Sequence, residues 1–152
     1  LGNKADLSAV DFIEYLADDD NTKVILCYLE SIKDGPRFLE VLPKATKKKP
    51  VIILKSGVSE AGARAASSHT GALAGSDKAY DLAFEKCGVI RAKTIEDLFD
   101  YGEIFLFQPV PKENSFAIIT NAGGPGIVAT DAFSREGLRF AQFSENILHS
   151  LR

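Results

Sequence analysis

Residues 51–54 read Val51-Ile52-Ile53-Leu54, and ahead of them stands Val24-Ile25-Leu26-Cys27-Tyr28-Leu29. Both runs have strand length, and both are apolar throughout rather than alternating. A strand that is apolar at every position is covered on both faces, which is the condition of a strand in a parallel sheet. Between the two runs, Asp34-Gly35-Pro36 opens a helix, with Pro36 in the first turn where its missing N–H costs nothing. Phe38, Val41, Leu42 and Ala45 form the inner face of that helix. Lys47-Lys48-Lys49-Pro50 closes it, because cations suit a helix C-terminus and proline cannot continue one.

The same alternation extends in both directions. Residues 8–18 carry Val10, Ile13, Leu16 and Ala17 at helical spacing, ended by Asp18-Asp19-Asp20-Asn21. Residues 77–86 resume helical spacing, Gly88-Val89-Ile90 reads as a short strand, and Thr94-Ile95-Glu96-Asp97 as a capped helix start. Ile95, Leu98, Phe99, Gly102, Phe105 and Leu106 then form an apolar stripe. Strands alternating with amphipathic helices predict an α/β fold, a doubly wound parallel sheet, over residues 1–109. Pro109-Val110-Pro111-Lys112-Glu113-Asn114 has linker composition. A second α/β unit is expected over 110–152, with a strand at Phe116–Thr120, a glycine loop at 121–126, a helix at 127–136 and a strand at Leu138–Ala141. That is one βαβ unit, too small to stand alone.

The 152 residues are 45% hydrophobic and 26% charged, which excludes disorder as the general state. No apolar run approaches the ~20 residues of a spanning helix. Eighteen basic against 21 acidic residues give a net charge of -3, with nothing to attach the chain to nucleic acid or an anionic membrane. Cys27 and Cys87 lack metal-type spacing and lie among apolar residues, as small packing groups do. A reducing, cytoplasmic setting is expected, and no signal peptide is visible. Leu1-Gly2-Asn3-Lys4 lacks an initiator methionine, and residues 144–152 read as a helix only begun, so a segment of a longer polypeptide is expected.

Ligands of parallel α/β sheets bind beyond the carboxyl ends of the strands. The stretch 55–76, rich in Gly, Ala and Ser, leaves the second strand there and is longer than packing requires. Lys55 and Arg64 can offset anionic charge in it, and His69 lies within it. Imidazole is a competent nucleophile that forms covalent intermediates. A surface histidine making one hydrogen bond is the competing reading, and the flanking Ser68, Thr70 and Gly71 bring the two level. Glu30 follows the first strand and can fix the tautomer of that imidazole, or else be a solvated loop acid. Asn121-Ala122-Gly123-Gly124-Pro125-Gly126 joins a strand to a helix, where free N–H groups favour anions. It matches neither the dinucleotide fingerprint nor a phosphate-binding P-loop, and a tight turn explains it as well. No metal site is read from the sequence.

Ala65-Ala66-Ser67-Ser68-His69-Thr70-Gly71-Ala72-Leu73-Ala74-Gly75 resembles the phosphohistidine loop of NDP-forming acyl-CoA synthetases, the ADP-forming acetyl-CoA synthetases related to succinyl-CoA synthetase. Leu1-Gly2-Asn3-Lys4-Ala5-Asp6 and Asn121–Gly126 resemble the α subunit or α portion of the same family, in collinear order over essentially the whole chain. The resemblance implies a flavodoxin-like domain followed by the start of a CoA-ligase-type domain. It implies an acid–thiol ligase that interconverts acyl-CoA, ADP and phosphate with carboxylate, CoA and ATP. In that family phosphate attacks the thioester, a histidine takes the phosphoryl group, and a mobile loop carries it to a distant ATP-grasp domain. His69 matches that histidine, and Glu30 the carboxylate that orients it; Ser68, Thr70, Gly71, Arg64, Asn121, Gly123, Gly124 and Gly126 are the candidate phosphate- and loop-binding residues beside them.

The resemblance further implies CoA, ATP or ADP and Mg2+ as groups bound largely outside these residues. It implies an ATP-grasp β subunit or fused domain and an N-terminal CoA-binding Rossmann domain as partners, within an oligomer. The isolated segment is expected to be inactive. A second hypothesis is a non-catalytic flavodoxin-like module that senses CoA esters, or the regulatory part of a protein acetyltransferase. Relatives of that kind have lost the histidine, and His69 is present here. A flavin-binding flavodoxin is disfavoured, because no Ser/Thr-rich phosphate loop follows the first strand.

Overall fold

The computed structural model describes residues 6–59, 62 and 77–150. The chain divides into two compact units, Leu1–Pro109 and Val110–Arg152. In the first, the elements run α1 (Ala9–Asp18), β1 (Ile25–Leu29), α2 (Gly35–Thr46), β2 (Val51–Lys55), α3 (Asp77–Cys87), β3 (Ile90–Ala92) and α4 (Ile95–Phe107). The strands form a parallel sheet in the order β1-β2-β3. Its register pairs Ile25 with Val51, Leu29 with Lys55 and Ile53 with Arg91.

Every residue of β2 is buried, as a central strand covered on both faces requires. Its side chains alternate between two cores. Val51 and Ile53 join Ile25 and Leu29 of β1 in the larger one, with Val10 and Ile13 from α1, Phe38, Val41 and Leu42 from α2, and Phe84 and Cys87 from α3. Ile52 and Leu54 face the other way and pack with Ala92 and Leu98, so α4 covers the opposite face. Helices on both faces of a parallel sheet make the unit a doubly wound α/β layer.

The helix ends follow from local chemistry. The Asp34 carboxylate accepts from the Arg37 N–H at 3.0 Å, with Pro36 in the first turn. Lys49 reaches back to the C-terminus of α1, donating to the Leu16 carbonyl at 2.8 Å and to that of Asp19. Thr94 and Asp97 form a reciprocal capping box: Thr94 Oγ1 accepts from the Asp97 N–H, and the Asp97 carboxylate accepts from the Thr94 N–H, both at 3.0 Å.

Two expectations are corrected in this unit. Gly88 is not strand: it ends α3 at φ 68°, its N–H bonded to the Glu85 carbonyl and that of Val89 to the Phe84 carbonyl. That double closure needs a left-handed residue, which glycine supplies, and β3 begins at Ile90 instead. The apolar stripe of α4 is also only partly covered. Leu98 and Gly102 are buried, whereas Ile95, Phe99 and Leu106 are exposed, as are Leu26 and Tyr28 on the same face of edge strand β1.

The second unit contains β4 (Ser115–Phe116), α5 (Gly123–Arg135), β5 (Arg139–Phe140) and α6 (Glu145–Ser150), with β4 and β5 parallel. Phe116 packs at a tilt against Phe133 and Phe140, with 4.3 and 4.4 Å between ring centroids. None of the described residues from 110 onward is buried, so this three-ring cluster is its core. The strand expected through Thr120 stops at Phe116, and the helix expected from residue 127 begins at Gly123. Proline tolerates an early helical position because its N–H is not needed there, so Pro125 lets the turn start ahead of the apolar periodicity. No helix among the described residues is long and apolar enough to cross a membrane.

Candidate functional site

Glu30 stands one residue beyond β1, half-buried, at the carboxyl end of the sheet. The neighbouring strand end is stitched to it: the Ser56 N–H donates to the Leu29 carbonyl at 2.9 Å. The chain therefore leaves β2 toward residues 57–76 at the sheet end where Glu30 stands, the end at which parallel α/β sheets hold ligands. His69, Arg64, Ser68, Thr70 and Gly71 lie outside the described residues.

The structure adds a charged cluster at this end. Lys55, the last residue of β2, is 4% exposed and is the buried charged side chain among the described residues. Its ammonium lies 4.7 Å above the Tyr80 ring of α3 and donates to the Ser56 carbonyl. Burial pushes the Lys55 ammonium below the ordinary lysine value; the Asp77 carboxylate opposes that, Arg91 adds to it, and Glu30 opposes it. Arg91, paired with Ile53 in the register, projects to the same face and pairs with Asp77 and Asp81 of α3. Burial works against its charge, but the hydrogen bonds to Asp77 and Asp81 hold it above the usual arginine value. Arg91, Asp77 and Asp81 belong to no motif in the sequence. A lone arginine inside the apolar run around Ile90 was the available signal, because a charge on a covered strand needs partners.

In the second unit, Asn121 is exposed just ahead of α5, and Gly123, Gly124 and Gly126 lie in its first turn rather than in a loop. Thr120 Oγ1 accepts from the Ala122 N–H at 3.1 Å and donates to the Ala122 carbonyl at 2.9 Å. A Cβ on Gly123 or Gly124 would stand in open space, and on Gly126 it would meet the Thr120 methyl at 3.2 Å. Packing among the described residues therefore does not require glycine at 123 or 124. No group of three or more His, Cys, Asp or Glu side chains among the described residues is placed to hold a metal ion.

A three-layered parallel α/β unit with polar groups gathered at its carboxyl end is of the flavodoxin-like class. The chain belongs to the family described as the succinyl-CoA ligase like flavodoxin domain, whose model matches residues 1–105. Over its whole length it is 52% identical to the α subunit of acetate–CoA ligase (ADP-forming) II from Pyrococcus furiosus, of which it covers 33%. It is 49% identical over 146 residues to the 4-hydroxybutyrate–CoA ligase (ADP-forming) of Nitrosopumilus maritimus, covering 95% of this chain and 21% of that protein. The dinucleotide-forming acetyl-coenzyme A synthetase 1 of Ca. Korarchaeum cryptofilum, solved with phosphate and ADP, superposes with a TM-score of 0.86 at 38% identity. That match covers 94% of this chain and 31% of the solved one. The chain thus spans about a third or less of the relatives it matches.

Proposed function

We propose that the chain is the phosphohistidine-carrying portion of an ADP-forming acyl-CoA synthetase, acting within a larger protein. Residues 1–109 form the phosphohistidine-bearing flavodoxin-like domain in this reading, and 110–152 the first βαβ unit of a following CoA-ligase-type domain. The observation that carries it is the placement of Glu30 at the sheet end from which the chain departs toward His69, in a member of this family.

The reaction divides among these residues as follows. A phosphate oxygen attacks the acyl carbon of the thioester, and the CoA thiolate leaves. The His69 imidazole then attacks the phosphorus of the acyl phosphate; the P–O bond to the acyl group breaks and the carboxylate departs. Glu30 accepts from one ring N–H, which leaves the other nitrogen free to attack and stabilises the cationic ring as it is phosphorylated. ADP then takes the phosphoryl group from His69 and becomes ATP. Ser68, Thr70, Gly71 and Arg64 neutralise and cradle the phosphoryl group; the first turn of α5, with Asn121, Gly123, Gly124 and Gly126, offers N–H donors to phosphate. No residue of this chain is assigned to CoA, to the nucleotide or to its magnesium ion. Those groups fall to an ATP-grasp subunit or domain and to a CoA-binding Rossmann domain. We place the enzyme in the cytoplasm.

The test is phosphorylation of the full-length protein with labelled ATP and magnesium. An acid-labile, base-stable label is expected, and His69→Asn abolishes it. A label that survives that substitution overturns the reading, and no label at all favours a non-catalytic CoA-ester-sensing module.

A further inference from the structure

The stretch 56–76 begins after Lys55, the last residue of β2, and ends before Asp77, the first residue of α3. Both junctions are held by cations from one side of the sheet. The Lys55 ammonium lies 4.7 Å above the Tyr80 ring, and the Arg91 guanidinium donates to the carboxylates of Asp77 and Asp81, which flank Tyr80 in sequence. The register sets Arg91 opposite Ile53, two residues before Lys55, so the two cations project to the same face. Residues 77, 81 and 84 share one stripe of α3, and Arg91 lies along it, its guanidinium carbon 5.9 Å from the Phe84 ring centroid. Stability alone does not call for this arrangement. An apolar side chain on a covered strand carries no desolvation cost, and both carboxylates are partly exposed, where an ion pair contributes little. What the pairs supply is position: a guanidinium forked between two carboxylates fixes the first turn of α3, which helix ends otherwise leave to fray.

We infer that Arg91 is a positioning residue for phosphoryl transfer: through Asp77 it fixes the point at which the segment bearing His69 rejoins the fold, while Lys55 against Tyr80 fixes the point of departure. A reacting group displaced by about 1 Å loses on the order of 10²-fold in rate, so the placement of this junction reaches the chemistry. Asp81 is held by the same guanidinium one turn further along α3 and anchors the helix without touching the junction. This deepens the reading given under Proposed function and rests on it.

The experiment compares Asp77→Asn with Asp81→Asn, which each take one carboxylate from the same guanidinium, at the junction and one turn beyond it. Phosphoenzyme formation and thermal melting are measured in the full-length protein, the rates at a temperature where every variant is folded. Asp77→Asn is expected to slow phosphorylation at saturating ATP by about tenfold or more with the KM for ATP unchanged, and Asp81→Asn by less than about threefold, for a similar loss of melting temperature. Arg91→Gln is expected to slow it as Asp77→Asn does, and the double variant to be no slower than the slower single one. Where Arg91→Gln fails to fold, the two aspartate variants decide. An unaltered rate in Asp77→Asn, equal slowing by both aspartate substitutions, a raised KM for ATP, or slowing that follows melting temperature across the set overturns the inference. Any of these results with the label lost in His69→Asn defeats this inference alone; a label that persists in His69→Asn defeats the functional reading itself.

Discussion

The Thr46 hydroxyl donates to the Cys87 carbonyl at 2.6 Å, tying the end of α2 to the end of α3 across 41 residues of sequence. Cys87 is the last residue of α3, so the bond satisfies a carbonyl that helix geometry leaves without a partner. Gly88 sits beside it at φ 68°, and a Cβ there would come within 3.3 Å of Thr46 Oγ1. Thr46→Val and Gly88→Ala are each expected to lower stability by about 1–2 kcal/mol, the first by leaving a carbonyl unpaired and the second by left-handed strain. Urea denaturation checks both. Stability unchanged in Thr46→Val means that water replaces the hydroxyl.

Acid sensitivity has a local source at α4. Backbone N–H bonds from Lys93 and Thr94 hold the Asp97 carboxyl below the usual carboxylate range. A carboxyl lowered in the folded state adds stability above its unfolded pKa, and that stability is lost as pH falls through the folded value. Asp97→Asn is therefore less stable than the parent at neutral pH, and the gap closes as pH falls below about 4. Melting curves taken from pH 7 to pH 3 follow this, and a gap independent of pH contradicts it.

Glu30→Gln keeps the shape of the side chain and removes its charge. Under the proposed function, phosphoryl transfer through His69 is expected to slow by ~10²–10⁴, the range for lost acid–base or orienting assistance. Rapid-quench measurement of phosphoenzyme formation reads the effect, and an unaltered rate removes Glu30 from the site.

Gly124 separates packing from binding. Its φ is not positive and a Cβ there meets nothing, so Gly124→Ala is expected to raise stability by about 0.4–1 kcal/mol by restricting the unfolded chain. If the first turn of α5 holds phosphate against its backbone, the same methyl blocks the approach and synthetase activity falls. Activity that is retained in the stabilised variant takes Gly124 out of the phosphate-binding set.

Much of the fold could be read along the chain because its signals are local. The uninterrupted apolar run at Val51–Leu54 specified a covered strand, and Asp34, Pro36, Thr94 and Asp97 set helix starts through bonds within one turn. The position of Glu30 was legible for the same reason: it follows directly on an apolar run, so it stands just beyond the carboxyl end of β1. The start of α5 was misplaced because glycines read as loop, whereas an early proline permits a helical turn through them.

What the sequence determined by itself is the order of covered strands and amphipathic helices, together with the local caps that begin them. Tertiary structure alone decided that Lys55 is buried over Tyr80, that Arg91 is neutralised by Asp77 and Asp81, and that Thr46 closes the helix ending at Cys87. The physical reason is one of range. A strand or a cap is fixed by neighbours within a few residues, whereas the cost of a buried charge depends on which distant side chains the parallel register carries to its side.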